Sequence, residues 1–277
     1  MESSNWISPI AFSLGPINIY WYGIGYLLTF VLSFIIWSKY LYTPFIKWQL
    51  DTVDNPTEHK KSFLDNFLTF VVLGVILGGR LGYVLFYNLS EYLSNPIAIL
   101  KLWEGGMSFH GGIIGLIIGM IIFARRNRVL FLSLTDMLCL VAPIGIFFGR
   151  VSNFINIELV GRTTTSPLGI VFPGDTVARH PSQLYQAGLE GILLGIIMFF
   201  TFKLAIKNYS SRVGILSLFF LFFYGLFRFI VEFFREPDIQ LGFIFLGLSM
   251  GQLLSLGIVF LIVILLYMRH SYSHKNT

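Results

Sequence analysis

The 277-residue chain predicts an all-α polytopic membrane protein: seven transmembrane helices in a single membrane domain, residues 1–277, with the N-terminus outside and the C-terminus inside. Three observations carry this. Hydrophobic residues make up 55% of the chain and charged ones only 12%, where an ordinary soluble domain is about 25% charged. Seven apolar stretches approach the roughly 20 residues that cross a bilayer. The basic residues of the connecting loops fall mostly on one side.

The first span is Ile17–Trp37. No Lys or Arg precedes Lys39, so the basic region of a cleaved signal peptide is missing and this stretch is expected to be retained. A polar loop, Asp51–Asn66, leads to the second span, Phe67–Tyr87. The apolar-rich stretch Tyr92–Trp103 then offers a helix start near Asn95-Pro96, which predicts a short helix on the outer interface. Met107–Phe123 and Leu134–Phe154 are the third and fourth spans; Pro181–Phe202, Ile215–Phe234 and Phe243–Tyr267 complete the set. These are continuous apolar runs, not the alternating pattern of a membrane barrel. Lys39, Lys47, Lys60, Lys61, Arg125, Arg126, Arg128, Lys203, Lys207, Arg212, Arg269 and Lys275 fall on one side; Lys101, Arg162, Arg179 and Arg235 fall on the other. The positive-inside rule puts the first group in the cytoplasm. Topology thereby explains the net charge of +5 without a nucleic-acid partner. The lone Cys139 excludes an internal disulfide, and the five histidines form no metal-binding spacing, so neither a metal nor a cofactor is expected.

Three arginines, Arg80, Arg150 and Arg228, interrupt the spans. An arginine in hydrocarbon costs roughly 2.5–3.5 kcal/mol on insertion scales, so each needs a reason. Spans two, four and six run outward, and each arginine stands four to seven residues before the outer end. At about 1.5 Å per residue, that is roughly 6–10 Å below the boundary. Tyr22, His110 and Gln183 open the inward-running spans, and His180 just precedes the fifth. The polar groups are thus expected at one depth, in the outer leaflet. Snorkelling explains one arginine near a span end, but is a weak account of three beside His110 and Glu232.

Spacing adds detail. Arg228 and Glu232 are four apart and share a helix face. Arg150, Asn153 and Asn156 form a polar stripe, and glycines flank Arg80, His110 and Arg150. An anion at this depth is most simply a phospholipid headgroup whose acyl chains stay in lipid. The planar guanidinium fork suits phosphate. His110 is a candidate general base, and Glu232 either orients Arg228 or serves as the base itself. Ser108 and His110 are two apart and do not share a helix face, which weakens a serine hydrolase. A substrate that supplies its own nucleophile fits better. The rival reading is a non-enzymatic lipid or anion transporter, which would want polar groups near the midplane; here the inner half has few beyond Asp136.

The runs Gly78–Asn88 (GGRLGYVLFYN), Gly105–Gly112 (GGMSFHGG), Gly149–Asn156 (GRVSNFIN), Arg179–Tyr185 (RHPSQLY) and Arg228–Asp238 (RFIVEFFREPD) resemble the prolipoprotein diacylglyceryl transferase family. The likeness extends from Trp21-Tyr22-Gly23 to Met250-Gly251-Gln252. It implies a bacterial inner-membrane enzyme of seven spans with its active site on the periplasmic side. Such an enzyme moves the diacylglyceryl group of phosphatidylglycerol onto the lipobox cysteine of preprolipoproteins, forming a thioether and releasing glycerol 1-phosphate. Phosphatidylglycerol, lipobox peptides and membrane lipid are the partners implied. Carried over by motif, Arg150 is the lipid-binding arginine, Arg228 the second essential arginine and His110 the proposed base. Tyr22, Asn153, Glu158, Gly161 and Glu232 match further functional positions, and Arg80 is a structural or headgroup contact. The chain departs from the family pattern twice. Ile157 stands where glycine is usual, which puts the turn that aims Glu158 in question. Gln186 stands where glutamate is usual, so an ionised carboxylate is dispensable there.

Overall fold

Two short hairpins open the first and last apolar stretches. The computed structural model describes residues 6–50, 56–87, 89–102, 105–237, 243–245 and 247–275. Strand β1, Ile10–Leu14, pairs antiparallel with β2, Ile17–Tyr20, across a two-residue turn in which Gly15 takes φ +61° and Pro16 follows. The first span, α1, is therefore Trp21–Phe45, with a π turn at Trp37–Leu41, and does not begin at Ile17. The last span is shortened in the same way. Strand β3, Phe243–Phe245, pairs with β4, Leu248–Ser249, around Gly247 at φ +71°, and the helix starts only at Met250. Hydropathy sees these β-branched and aromatic residues as apolar and cannot separate a strand from a helical turn.

Between them run α2 (Pro56–Tyr87), the short α3 (Leu89–Ser94), α4 (Phe109–Asn127), α5 (Phe131–Ile155), α6 (Ser182–Ser211), α7 (Ile215–Glu232) and finally α8 (Met250–Lys275). Among the described residues, seven helices are long and apolar enough to cross a membrane. Part of the expected polar loop is helical, because α2 begins at Pro56, a residue suited to a first helical position, with Glu58 in its first turn. The preceding Asp51 lies outside the described residues. The expected interfacial helix is two pieces: α3, and a 3₁₀ turn over Pro96–Leu100 entered through the non-helical Asn95. Trp103 at its end lies outside the described residues.

The chain divides into two compact units, one from residue 34 to 137, the other comprising residues up to 33 and from 138 onward. In the first unit α2 and α4 pack backbone to backbone. Gly74, Gly78 and Gly82 recur every fourth residue on one helix, as do Gly111, Gly115 and Gly119 on the other. A Cβ on Gly115 would stand 2.1 Å from the Gly74 carbonyl oxygen, and one on Gly78 would stand 2.4 Å from that of Gly111. Small residues at this spacing let membrane helices touch where lipid gives apolar side chains no preference for each other. Away from this seam Trp37, Phe63, Phe67 and Phe123 form an aromatic core. Gln49 ties the chain after α1 to the start of α5 by donating to Ser133 Oγ and accepting from the Leu130 amide.

Gly115→Ala is expected to destabilise the protein by roughly 1–3 kcal/mol, the usual cost of overpacking, read as a lowered Tm in detergent. Gly257→Ala is the control, since nothing lies within 4 Å of a Cβ at that position. Equal Tm values for the two variants would refute close packing at the seam.

Candidate active site

Helix α5 ends by turning one carboxylate back onto itself. Arg150 and Asn153 lie on its last turns, and Arg150 Nη1 donates to Asn153 Oδ1 at 3.3 Å. Ile157 then adopts φ +57°, the left-handed conformation that closes many helices, and the Glu158 amide returns to the Asn153 carbonyl at 2.8 Å. A β-branched residue is strained there, by roughly 1–2 kcal/mol. The usual glycine would relieve this, yet the turn forms with isoleucine. Its result is the position of Glu158, whose Oε2 accepts from Tyr22 Oη at 2.5 Å and from Asn153 Nδ2 at 2.9 Å. Asn153 Nδ2 also contacts Tyr22 Oη, closing a triangle of Tyr22, Asn153 and Glu158 with Arg150 one helical turn away.

The chain from Leu159 to His180 is braced against its neighbours. Gln183 Nε2 donates to the Glu158 carbonyl at 2.6 Å and Ser182 Oγ to that of Leu159 at 2.9 Å. Gly161 lies in a bridge with Arg235, and its amide donates to the His180 carbonyl at 3.0 Å. Arg162 reaches the end of α7, donating from Nε to the Arg235 carbonyl at 2.8 Å and from Nη2 to that of Glu232 at 3.2 Å. Arg179 pairs with Asp175 and with Glu236, both at 3.0 Å. Gly161 is thus a structural crossing point between two backbone segments.

On α7, Arg228 Nη2 and Glu232 Oε2 are 2.9 Å apart. Glu232 is buried, accepts from Ser249 Oγ at 3.1 Å and has Arg235 Nη1 at 3.7 Å. A Cβ on Gly251 would come within 2.7 Å of Glu232 Oε1, so the start of α8 packs directly beneath this carboxylate. Ser249 and Gly251 belong to the site's support for that reason. Arg228 Nη1 is buried without a hydrogen-bond partner.

One residue escaped the sequence reading. Glu190, fully buried in the π segment Ala187–Leu193 of α6, has Oε2 3.8 Å from Arg150 Nη2. The π segment packs on α5 at Phe147 and also on α7, so Glu190 stands between the two arginine-bearing helices. The available signal was simple: an acid inside an apolar span is a functional candidate by default.

Arg80 and His110 belong to the other unit. Arg80 is 3% exposed and its guanidinium donates to five backbone carbonyls, those of Ala98, Ile99, Lys101, Gly105 and Gly106. These contacts match its five N–H groups. Of the two expected roles, structural or headgroup contact, these bonds serve the structural one: Arg80 holds the loop before α4. His110 lies in the first turn of α4, exposed, edge-on to Phe109 at 5.7 Å. Ser108 caps that helix by accepting from the Gly111 amide at 3.2 Å and so is a structural serine.

A family model described as prolipoprotein diacylglyceryl transferase matches residues 9–268. The chain is 48% identical over 257 residues, 92% of each chain, to a phosphatidylglycerol–prolipoprotein diacylglyceryl transferase of Rickettsia bellii. A protein of that name from Rickettsia felis is 48% identical over 258 residues, covering 92% of this chain and 94% of its own. Another from Wolbachia pipientis of Culex pipiens is 46% identical over 260 residues, 92% of each.

Proposed function

Because the chain belongs to the prolipoprotein diacylglyceryl transferase family, we propose that it moves the diacylglyceryl group of phosphatidylglycerol onto the lipobox cysteine of preprolipoproteins. The observation that carries the reading is the convergence, within one unit, of Arg150, Arg228 and the Tyr22–Asn153–Glu158 triangle. The protein is a multi-pass transferase of the bacterial inner membrane, with its site on the periplasmic side. That orientation follows from the basic loops, which the positive-inside rule assigns to the cytoplasm.

The reaction is a displacement at carbon. The cysteine thiolate attacks the glycerol carbon that bears the phosphate, a C–S bond forms, and the C–O bond breaks. The electron pair leaves on oxygen, giving glycerol 1-phosphate. Arg150 and Arg228 hold the phosphate and stabilise the charge that grows on it as the bond breaks. Arg228 is set by Glu232, whose pairing with two arginines makes it a positioning group more than a base. A free thiol ionises near 8.5, so a proton acceptor helps at neutral pH; His110 fills that role. His110→Asn is expected to lower kcat by about 10²-fold, while full activity would move the base elsewhere.

The deciding experiment incubates purified protein with labelled phosphatidylglycerol and a lipobox peptide. Thioether-linked product with release of glycerol 1-phosphate is the expected result. Lipid movement without product would support a transporter instead.

A further inference from the structure

The two arginines face a problem that the reaction itself creates. Phosphatidylglycerol is a phosphodiester with one negative charge. The leaving group is a phosphomonoester carrying about −1.5 to −2 at neutral pH. A site built to stabilise that leaving group also grips the product more tightly than the substrate, and slow release then limits turnover.

Glu190 is placed to oppose this. It is fully buried on a π turn, a wide turn common at functional sites. Gly191 beside it lies against α5, where a Cβ would stand 2.8 Å from Phe147 Cβ, so this turn of α6 packs onto the helix carrying Arg150. Its carboxylate is 3.8 Å from Arg150 Nη2, its π turn also packs on α7, which carries Arg228, and Gln186 adjoins it from the preceding turn. Stability does not account for it. Its contact to Arg150 is loose, and apart from the neighbouring Gln186 amide neither carboxylate oxygen meets a donor. A buried ion pair of that quality is often no better than an apolar replacement.

We propose that Glu190 is a resident counter-anion that weakens the hold of Arg150 and Arg228 on the phosphomonoester product, so that glycerol 1-phosphate leaves. The inference rests on the transferase reading above. The negative charge of an ionised Glu190 penalises an anionic ligand in proportion to that ligand's charge, so it discounts the product more than the diester substrate. As the product leaves, Glu190 again serves as the counter-ion of Arg150.

The test measures glycerol 1-phosphate affinity of the detergent-purified protein by calorimetry, beside kcat and KM for phosphatidylglycerol. Glu190→Gln is expected to bind glycerol 1-phosphate about tenfold more tightly, to lower KM by a smaller factor, and to lower kcat as release slows. Gln186→Glu adds a second carboxylate beside Glu190 and is expected to weaken product binding. Glu190→Asp keeps the charge and should bind within about threefold of wild type. Damage to packing would weaken binding in every variant, so opposite shifts in the first two are diagnostic. Unchanged or weaker product affinity in Glu190→Gln, should it fold, overturns the proposal while leaving the transferase reading intact. Should it not fold, tighter or unchanged binding in Gln186→Glu overturns it. Failure of the wild type to form any thioether would instead overturn the transferase reading, which the calorimetry does not address.

Discussion

Arg150→Lys is expected to lower kcat/KM for phosphatidylglycerol by about 10²- to 10³-fold, although the positive charge is kept. The reason lies in how many directions the side chain serves. Its guanidinium donates to Asn153 on one side and faces Glu190 on the other. Nε is buried without a partner and remains to be offered to an incoming anion. An ammonium on a flexible stem presents one point of charge and cannot hold these directions at once. A phosphate so held would be mispositioned relative to the attacking thiolate, and small misplacements are costly in displacement reactions. The measurement is initial-rate transfer to a lipobox peptide, with Tm in detergent to establish that the variant is folded. Wild-type kcat/KM in the lysine variant would mean that charge alone is used, and that bidentate recognition is wrong.

Parts of this site were visible in the sequence because they are local. Arg150 with Asn153, and Arg228 with Glu232, sit three and four residues apart on single helices, and each pair is joined in the structure. The seven apolar stretches were visible for the same reason, since each is long and carries few charges. What stayed hidden depends on partners far along the chain. Glu190 gains meaning only because a π turn sets it against Arg150 on another helix. Arg80 looked like a ligand-binding charge because its partners are backbone carbonyls of residues 98–106, and no side-chain pattern announces those. In the sequence, Ile157 puts the aim of Glu158 in question. The turn nevertheless forms at positive φ, because the Tyr22 and Asn153 contacts that it permits offset a modest strain. The second strand of the first hairpin and both strands of the last fall inside the expected helices because hydropathy averages over strand and helix alike.

Gly161→Ala should reduce transfer by about 10²-fold or more, through displacement of the groups around it, since a 1 Å error at a reacting centre can cost that much. A Cβ at this position would lie 2.4 Å from the His180 carbonyl oxygen, 2.6 Å from that of Phe234 and 2.7 Å from His180 Cβ. The two nearest are backbone carbonyl oxygens, one on each side, so no side chain can swing away to make room. Relief requires parting the segment before α6 from the one after α7. Arg162, the next residue, fastens the end of α7 through the Glu232 and Arg235 carbonyls. Glu158 stands three residues upstream. A shift at Gly161 therefore separates the Glu158 triangle from the Arg228–Glu232 pair. The spans themselves pack elsewhere, so helicity by circular dichroism should be retained while activity falls. This distinguishes a lost alignment from a lost fold. An alanine variant that kept wild-type kcat would show that the crossing has slack, and Gly161 would then need a direct contact with lipid to explain its place in the family motif.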